Sequence, residues 1–136
     1  VSAKVGADAA IFDADDRILL VHRSDDLLWG LVSGWVDPGE TPAQTVVREV
    51  QEEVGLTATV DVLVDAVGRP ADSGYGPHGV VAVLYLCSVA PGPITISHEA
   101  IAAGYRHIDD VEGWHANHED LARRALAAHQ ARRARA

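Results

Sequence analysis

Short apolar runs alternate with clusters of turn-forming residues along the chain, and that alternation predicts its elements. Residues 5–12 are small and apolar and predict a strand; Asp13-Ala14-Asp15-Asp16 predicts a turn. Residues 17–23 carry Ile18, Leu19, Leu20 and Val21 and predict a second strand, paired with the first as a hairpin. Residues 24–28 form a polar loop, and residues 29–40, with three Gly and one Pro, a structured loop. The clearest helix is residues 41–54, with Thr41 as N-cap, Pro42 in the first turn, Gln44 completing a capping box and Gly55 just past its end. Val60, Val62, Val64 and Ala66 alternate with Asp61 and Asp65, the pattern of a half-buried strand. Residues 70–78 form a long loop; residues 79–87, almost continuously apolar, form a central strand buried on both faces. Residues 100–108 fit a strand or a short helix, and a strand near residues 104–108 is favoured. An Ala- and Arg-rich helix over residues 119–133 follows.

Strands interspersed with a central and a terminal helix indicate an α/β or α+β layered fold. A length of 136 residues fits one domain, residues 1–136, with a proper core. An apolar share of 48% excludes a disordered chain. The net charge of −9 argues against general nucleic-acid binding, which needs a basic footprint. All of that charge resides in residues 1–68, with 13 acids against 4 bases. Cys87 has no partner for an internal disulfide, so a reducing cytoplasm is the expected compartment. No apolar run reaches the roughly 18 residues that cross a bilayer, so no membrane partner is expected. His107, His115, His118 and His129 match no familiar zinc spacing.

The chemistry concentrates on the 41–54 helix. Ala43, Val47, Val50 and Val54 make an apolar stripe expected to face the sheet. Glu49, Glu52 and Glu53, at i, i+3 and i+4, share a second face expected to point away from the core. Like charges so placed repel, and a cation reverses the repulsion; all-oxygen ligands favour a hard ion such as Mg²⁺ or Mn²⁺.

Gly34-Trp35-Val36-Asp37-Pro38-Gly39-Glu40, seven further residues, then Arg48-Glu49-Val50-Gln51-Glu52-Glu53-Val54-Gly55-Leu56 match every fixed position of the Nudix box, G-x5-E-x7-R-E-U-x-E-E-x-G-U, where U is a bulky apolar residue. The chain resembles the Nudix hydrolases over nearly its whole length. The resemblance implies an α/β/α sandwich with a mixed β-sheet. It implies cleavage of a nucleoside diphosphate linked to another moiety X, with Mg²⁺ or Mn²⁺ as cofactor and a small-molecule nucleotide as partner. Carried over by position, Glu49, Glu52 and Glu53 are metal ligands, and the Gly34 carbonyl is a further ligand. Arg48 and Glu40 link the loop to the helix, and Gly39 and Gly55 allow tight turns. The general base is Glu52, Glu53 or the loop acid Glu99. Val32-Ser33-Gly34 departs from the Pro-Gly-Gly common in the family, which touches the loop shape and not the required glycine.

Substrate identity is less legible. Pro70 lies near a position associated with ADP-ribose hydrolases, and no NADH-diphosphatase array is present. Trp35 is a candidate platform for a base or sugar, and Tyr75 and His78 are candidates for the pocket rim. Trp29 is expected to pack beneath the loop. The alternative is a non-catalytic nucleotide-binding module on the same fold, and a homodimer stays open as the assembly.

Overall fold

A computed structural model describes residues 2–69 and 78–136. Pro70 and Tyr75, with most of the expected 70–78 loop, lie outside the described residues. The elements run β1 (Lys4–Ile11), β2 (Ile18–Arg23), β3 (Trp29–Gly30), β4 (Val32–Trp35), α1 (Pro42–Val54), β5 (Ala58–Arg69), β6 (Val80–Val89), β7 (Ala100–Arg106), a single 3-10 turn (Ile108–Asp110) and α2 (His118–Arg135). The expected strand near residues 104–108 is therefore β7, displaced toward the N-terminus. The expected 29–40 loop contains two short strands.

One sheet has the order β4-β1-β6-β5; β1 is parallel to β6 and antiparallel to β4, so the sheet is mixed. A second, antiparallel sheet has the order β3-β2-β7. The period-2 alternation of β1 builds two cores. Ala7, Ala9 and Ile11 pack with Val46, Val50 and Val54 of α1, whereas Ala10 packs with Leu84, Leu86, Leu121 and Ala125 on the α2 side. The fold is an α/β/α sandwich.

Three expectations need correction. The β1–β2 hairpin reduces to one bridge, Phe12 to Ile18. Both edges of β1 are already taken by β4 and β6, so β2 leaves to found the second sheet. The turn between them is still tight, because the Asp13 carboxylate accepts from the Asp15 and Arg17 backbone N–H groups, each at 3.0 Å. In β5, register shifts at Val60/Val62 and Leu63/Asp65 break the alternation, leaving Val62 and Leu63 exposed while Val64 and Val67 reach the α2 core. On α1 the buried stripe is Val46, Val50 and Val54, with Val47 exposed. That rotation carries Thr45 and Glu53 inward, so the three glutamates do not all face away from the core.

The ends of α1 follow the sequence. Thr41 Oγ1 accepts from the Gln44 N–H while the Gln44 side chain accepts from the Thr41 N–H, closing the capping box. Gly55 ends the helix at φ +70°, a left-handed conformation that favours glycine. Among the described residues no helix is long and apolar enough to cross a membrane.

Candidate functional site

Arg48 organises the segment from Trp35 to Glu52. Its guanidinium grips Glu40 bidentately, Nε to Oε2 at 2.8 Å and Nη2 to Oε1 at 2.9 Å. Nη1 donates to Glu49 Oε1 at 2.7 Å and Glu52 Oε2 at 3.2 Å, and Nη2 donates to the Trp35 carbonyl at 3.3 Å. Glu40 also accepts from Thr45 Oγ1 at 2.7 Å and the Asp37 N–H at 3.2 Å. These donors hold the Glu40 carboxyl down at about 2, the Arg48 hydrogen bonds first among them, and Glu40 in turn raises the Arg48 pKa. Gly39, at φ +82°, turns the chain between Asp37 and Glu40. The Asp37–Glu40 loop is thereby fastened to the flank of α1.

Gly34 answers a different need. A Cβ built on it would run into the Glu49 carboxyl, so only glycine lets that side chain lie against β4. Glu53 is buried beside it, and its Oε2 accepts from the Ser33 N–H at 3.2 Å. Burial, then the neighbouring charges of Glu49 and Glu99, pushes the Glu53 carboxyl up to about 8. Burial also raises Glu49. Glu52 is exposed. The 95–97 loop is sewn to the end of α1, Thr95 N–H to the Val54 carbonyl at 2.9 Å and Ser97 N–H to the Glu53 carbonyl at 3.2 Å. Ser24 then holds the Glu99 carbonyl, through its N–H at 3.0 Å and its hydroxyl at 2.9 Å.

These groups open onto a cleft of about 400 Å³. Of the residues singled out in the sequence, Gly34, Trp35, Glu49, Glu53 and Glu99 line it. Glu52, Arg48, Glu40 and Gly39 lie behind or beside it. His78 does not line it: its Nδ1 lies 3.1 Å from the Ser2 carbonyl, away from the expected rim. Trp29 stacks on His22 with the Arg106 guanidinium 4.2 Å from its ring centroid.

The donors are carboxylates and a backbone carbonyl, which suits a hard divalent cation. Gly34's missing side chain and the gathering of Glu49, Glu53 and Glu99 on one cleft fit such an ion. As they stand, no three acidic, cysteine or histidine side chains among the described residues converge on one point, because Arg48 draws Glu49 and Glu52 to its own Nη1.

The far wall of the cleft was missed in the sequence. Arg23 of β2 lines it, chelated by Asp25 at 3.0 and 2.7 Å. Burial alone lowers its pKa, but Asp25, Asp26 and Glu53 outweigh that and raise it. His115 Nδ1 lies 2.5 Å from Asp26 Oδ2. His118 and Asp8 form a buried pair: His118 Nδ1 accepts from the Leu31 N–H at 3.0 Å, and Nε2 lies 3.5 Å from Asp8 Oδ1. Burial pushes Asp8 up to about 7 and His118 down to about 3, so both are neutral near pH 6. The one available signal was Asp8 itself, an acid inside an otherwise small and apolar strand.

Comparison with known proteins agrees with this arrangement. The profile of the NUDIX domain matches residues 3–131. A putative 8-oxo-dGTP diphosphatase of Bacillus subtilis (strain 168) is 40% identical over 65 residues, 48% of this chain and 44% of that protein. An ADP-ribose pyrophosphatase of Methanocaldococcus jannaschii is 28% identical over 114 residues, 82% of this chain and 66% of that protein. The chain thus spans 44% and 66% of the length of these two curated relatives. The crystal structure of an ADP-ribose pyrophosphatase from Streptococcus suis 89-1591 superposes with a TM-score of 0.76 at 31% identity, covering 92% of this chain and 90% of that one.

Proposed function

Because this chain belongs to the Nudix hydrolase family, we propose that it hydrolyses the diphosphate linkage of a nucleoside diphosphate joined to another moiety, by attack of water at phosphorus. One observation carries the reading: Glu49 and Glu53 line one cleft against the side-chain-free Gly34, with Arg48 bound to Glu40 behind them. Glu49, Glu52, Glu53 and the Gly34 carbonyl are the groups that would hold a divalent cation, Mg²⁺ or Mn²⁺. Such an ion supplies charge neutralisation on the phosphates and a lower pKa for bound water.

The protein's own groups do the rest. Arg48 and Glu40 fix the loop that presents Gly34 and Trp35, so the carboxylates are aimed before substrate arrives. Glu53 and Glu99 line the cleft, and either can take the proton of the attacking water. The new P–O bond forms as the bridging P–O bond breaks, and the second phosphate leaves with the bridging oxygen. Arg23, on the opposite wall, offsets phosphate charge. Two relatives named as ADP-ribose pyrophosphatases support testing ADP-ribose first, with nucleotide sugars and nucleoside triphosphates beside it. A reducing cytoplasm suits the buried Cys87, whose thiol burial pushes up to about 12.

The test is a product-release screen over those substrates with Mg²⁺ or Mn²⁺, then with EDTA. Hydrolysis that EDTA stops, and that Glu53→Gln slows by about a hundredfold or more with the circular dichroism unchanged, is the expected result. Full activity in chelator refutes the metal assignment. Hydrolysis of no substrate favours the non-catalytic binding module.

A further inference from the structure

Asp8 takes no part in the chemistry above, yet its placement is costly. It is 4% exposed at the floor of the cleft, on the β1 face that also carries Gly6 and Ala10. Among the described residues its polar neighbour is His118, at 3.5 Å. Because His118 Nδ1 accepts from the Leu31 N–H, its proton resides on Nε2, toward Asp8 Oδ1. A Cβ on Gly30 would press on His118 Nδ1 at 2.7 Å, so that glycine allows the imidazole its place. A buried carboxyl with one oxygen so occupied has acceptor capacity left over, open to the cleft.

The neighbouring strand supplies a platform. Gly6 pairs with Trp35 and Asp8 with Ser33, so the indole and the carboxyl share a face two residues apart. Trp35 and Asp8 are diagonal neighbours across the two strands, about 7–8 Å apart, on the order of the width of a base. Gly6 has no side chain, and the indole lies 3.6 Å from where its Cβ would be. The diphosphate belongs at the other end, by Arg23 and the glutamates that would hold a divalent cation.

We infer that Asp8 is a specificity-determining residue that accepts an N–H hydrogen bond from the amino-bearing edge of the substrate's nucleobase, whose face Trp35 supports. The inference rests on the nucleotide reading above and adds the orientation: base toward the start of α2, diphosphate toward α1. His118 is a positioning residue that fixes the carboxyl.

Binding of 5′-monophosphates, read by calorimetry without metal, tests it. The probes are AMP against purine riboside 5′-monophosphate, and GMP against inosine 5′-monophosphate; each second member lacks the exocyclic amino group. The wild type is expected to bind the amino-bearing member of one pair at least about tenfold more tightly. Asp8→Leu is expected to bring that ratio to about one, and Asp8→Asn, which keeps an acceptor oxygen, to retain most of it. A wild-type ratio of about one in both pairs, binding of no probe, or a preference that survives Asp8→Leu overturns the inference. Hydrolysis by the same wild-type preparation separates the cases. If it is intact, Asp8 alone is misassigned; if it is absent for every substrate, the hydrolase reading fails with it.

Discussion

Asp8→Asn is expected to change how stability depends on pH. Burial raises Asp8 from 3.8 unfolded to about 7 folded. For an acid raised on folding, the native state binds the extra proton, and stability is lost as pH rises from about 4 to about 7. His118 is depressed from 6.5 to about 3, so its unfolded form binds the extra proton and stability is lost as pH falls below 6.5. Across the shared window the two slopes oppose each other, each about 1.4 kcal/mol per pH unit, and the pair leaves the wild type nearly flat. His115, Arg23, Arg69 and Asp26 also act on His118 and are common to both proteins. Asn removes only the Asp8 slope. Urea unfolding of wild type and Asp8→Asn between pH 4.5 and 7, at constant ionic strength, reads the difference. The variant is expected to gain about 1.4 kcal/mol per pH unit relative to the wild type, approaching about 4 kcal/mol over the full shift. A difference that moves the other way with pH means that Asp8 and His118 are an ion pair, and refutes the neutral assignment.

Gly34→Ala is expected to displace the Glu49 carboxyl at a stability cost of about 1–3 kcal/mol, with turnover falling far more than thermal stability; turnover within twofold of wild type would show that the close approach is unimportant. Arg48→Lys keeps the charge and loses the bidentate grip on Glu40, so kcat is expected to fall by an order of magnitude or more in steady-state assays. Thr41→Ala opens the capping box and is expected to lower unfolding free energy by about 1 kcal/mol with kcat unchanged.

Local rules made some features legible. The capping box of Thr41 and Gln44, the Gly55 terminus and the apolar run of β6 each depend on residues within a few positions of one another. The motif from Gly34 to Leu56 is longer but has fixed spacing along one continuous segment, which makes the family and the acids on one helix legible. The face that α1 buries was harder to read. Val46 and Val47 are equally apolar, and the choice between them rests on packing against β1 and β4. Choosing Val46 turned Glu53 inward and changed its environment from solvent to a buried hydrogen bond with Ser33.

The far wall of the cleft lay beyond any local rule. His118 and Leu31 meet 87 positions apart, and Asp8 and His118 at opposite ends of the chain. By itself the sequence determined most of the elements, the family motif and the clustering of acids on one helix, because periodicity, capping and motif spacing are written along the chain. Only the tertiary structure decided that β1 and β2 part into two sheets, that Glu53 is buried and Glu52 is not, and that Asp8, Arg23 and His118 share a cleft with the glutamates. Those outcomes follow from which strand edges and helix faces pack against one another across the layers, contacts between residues far apart in the chain.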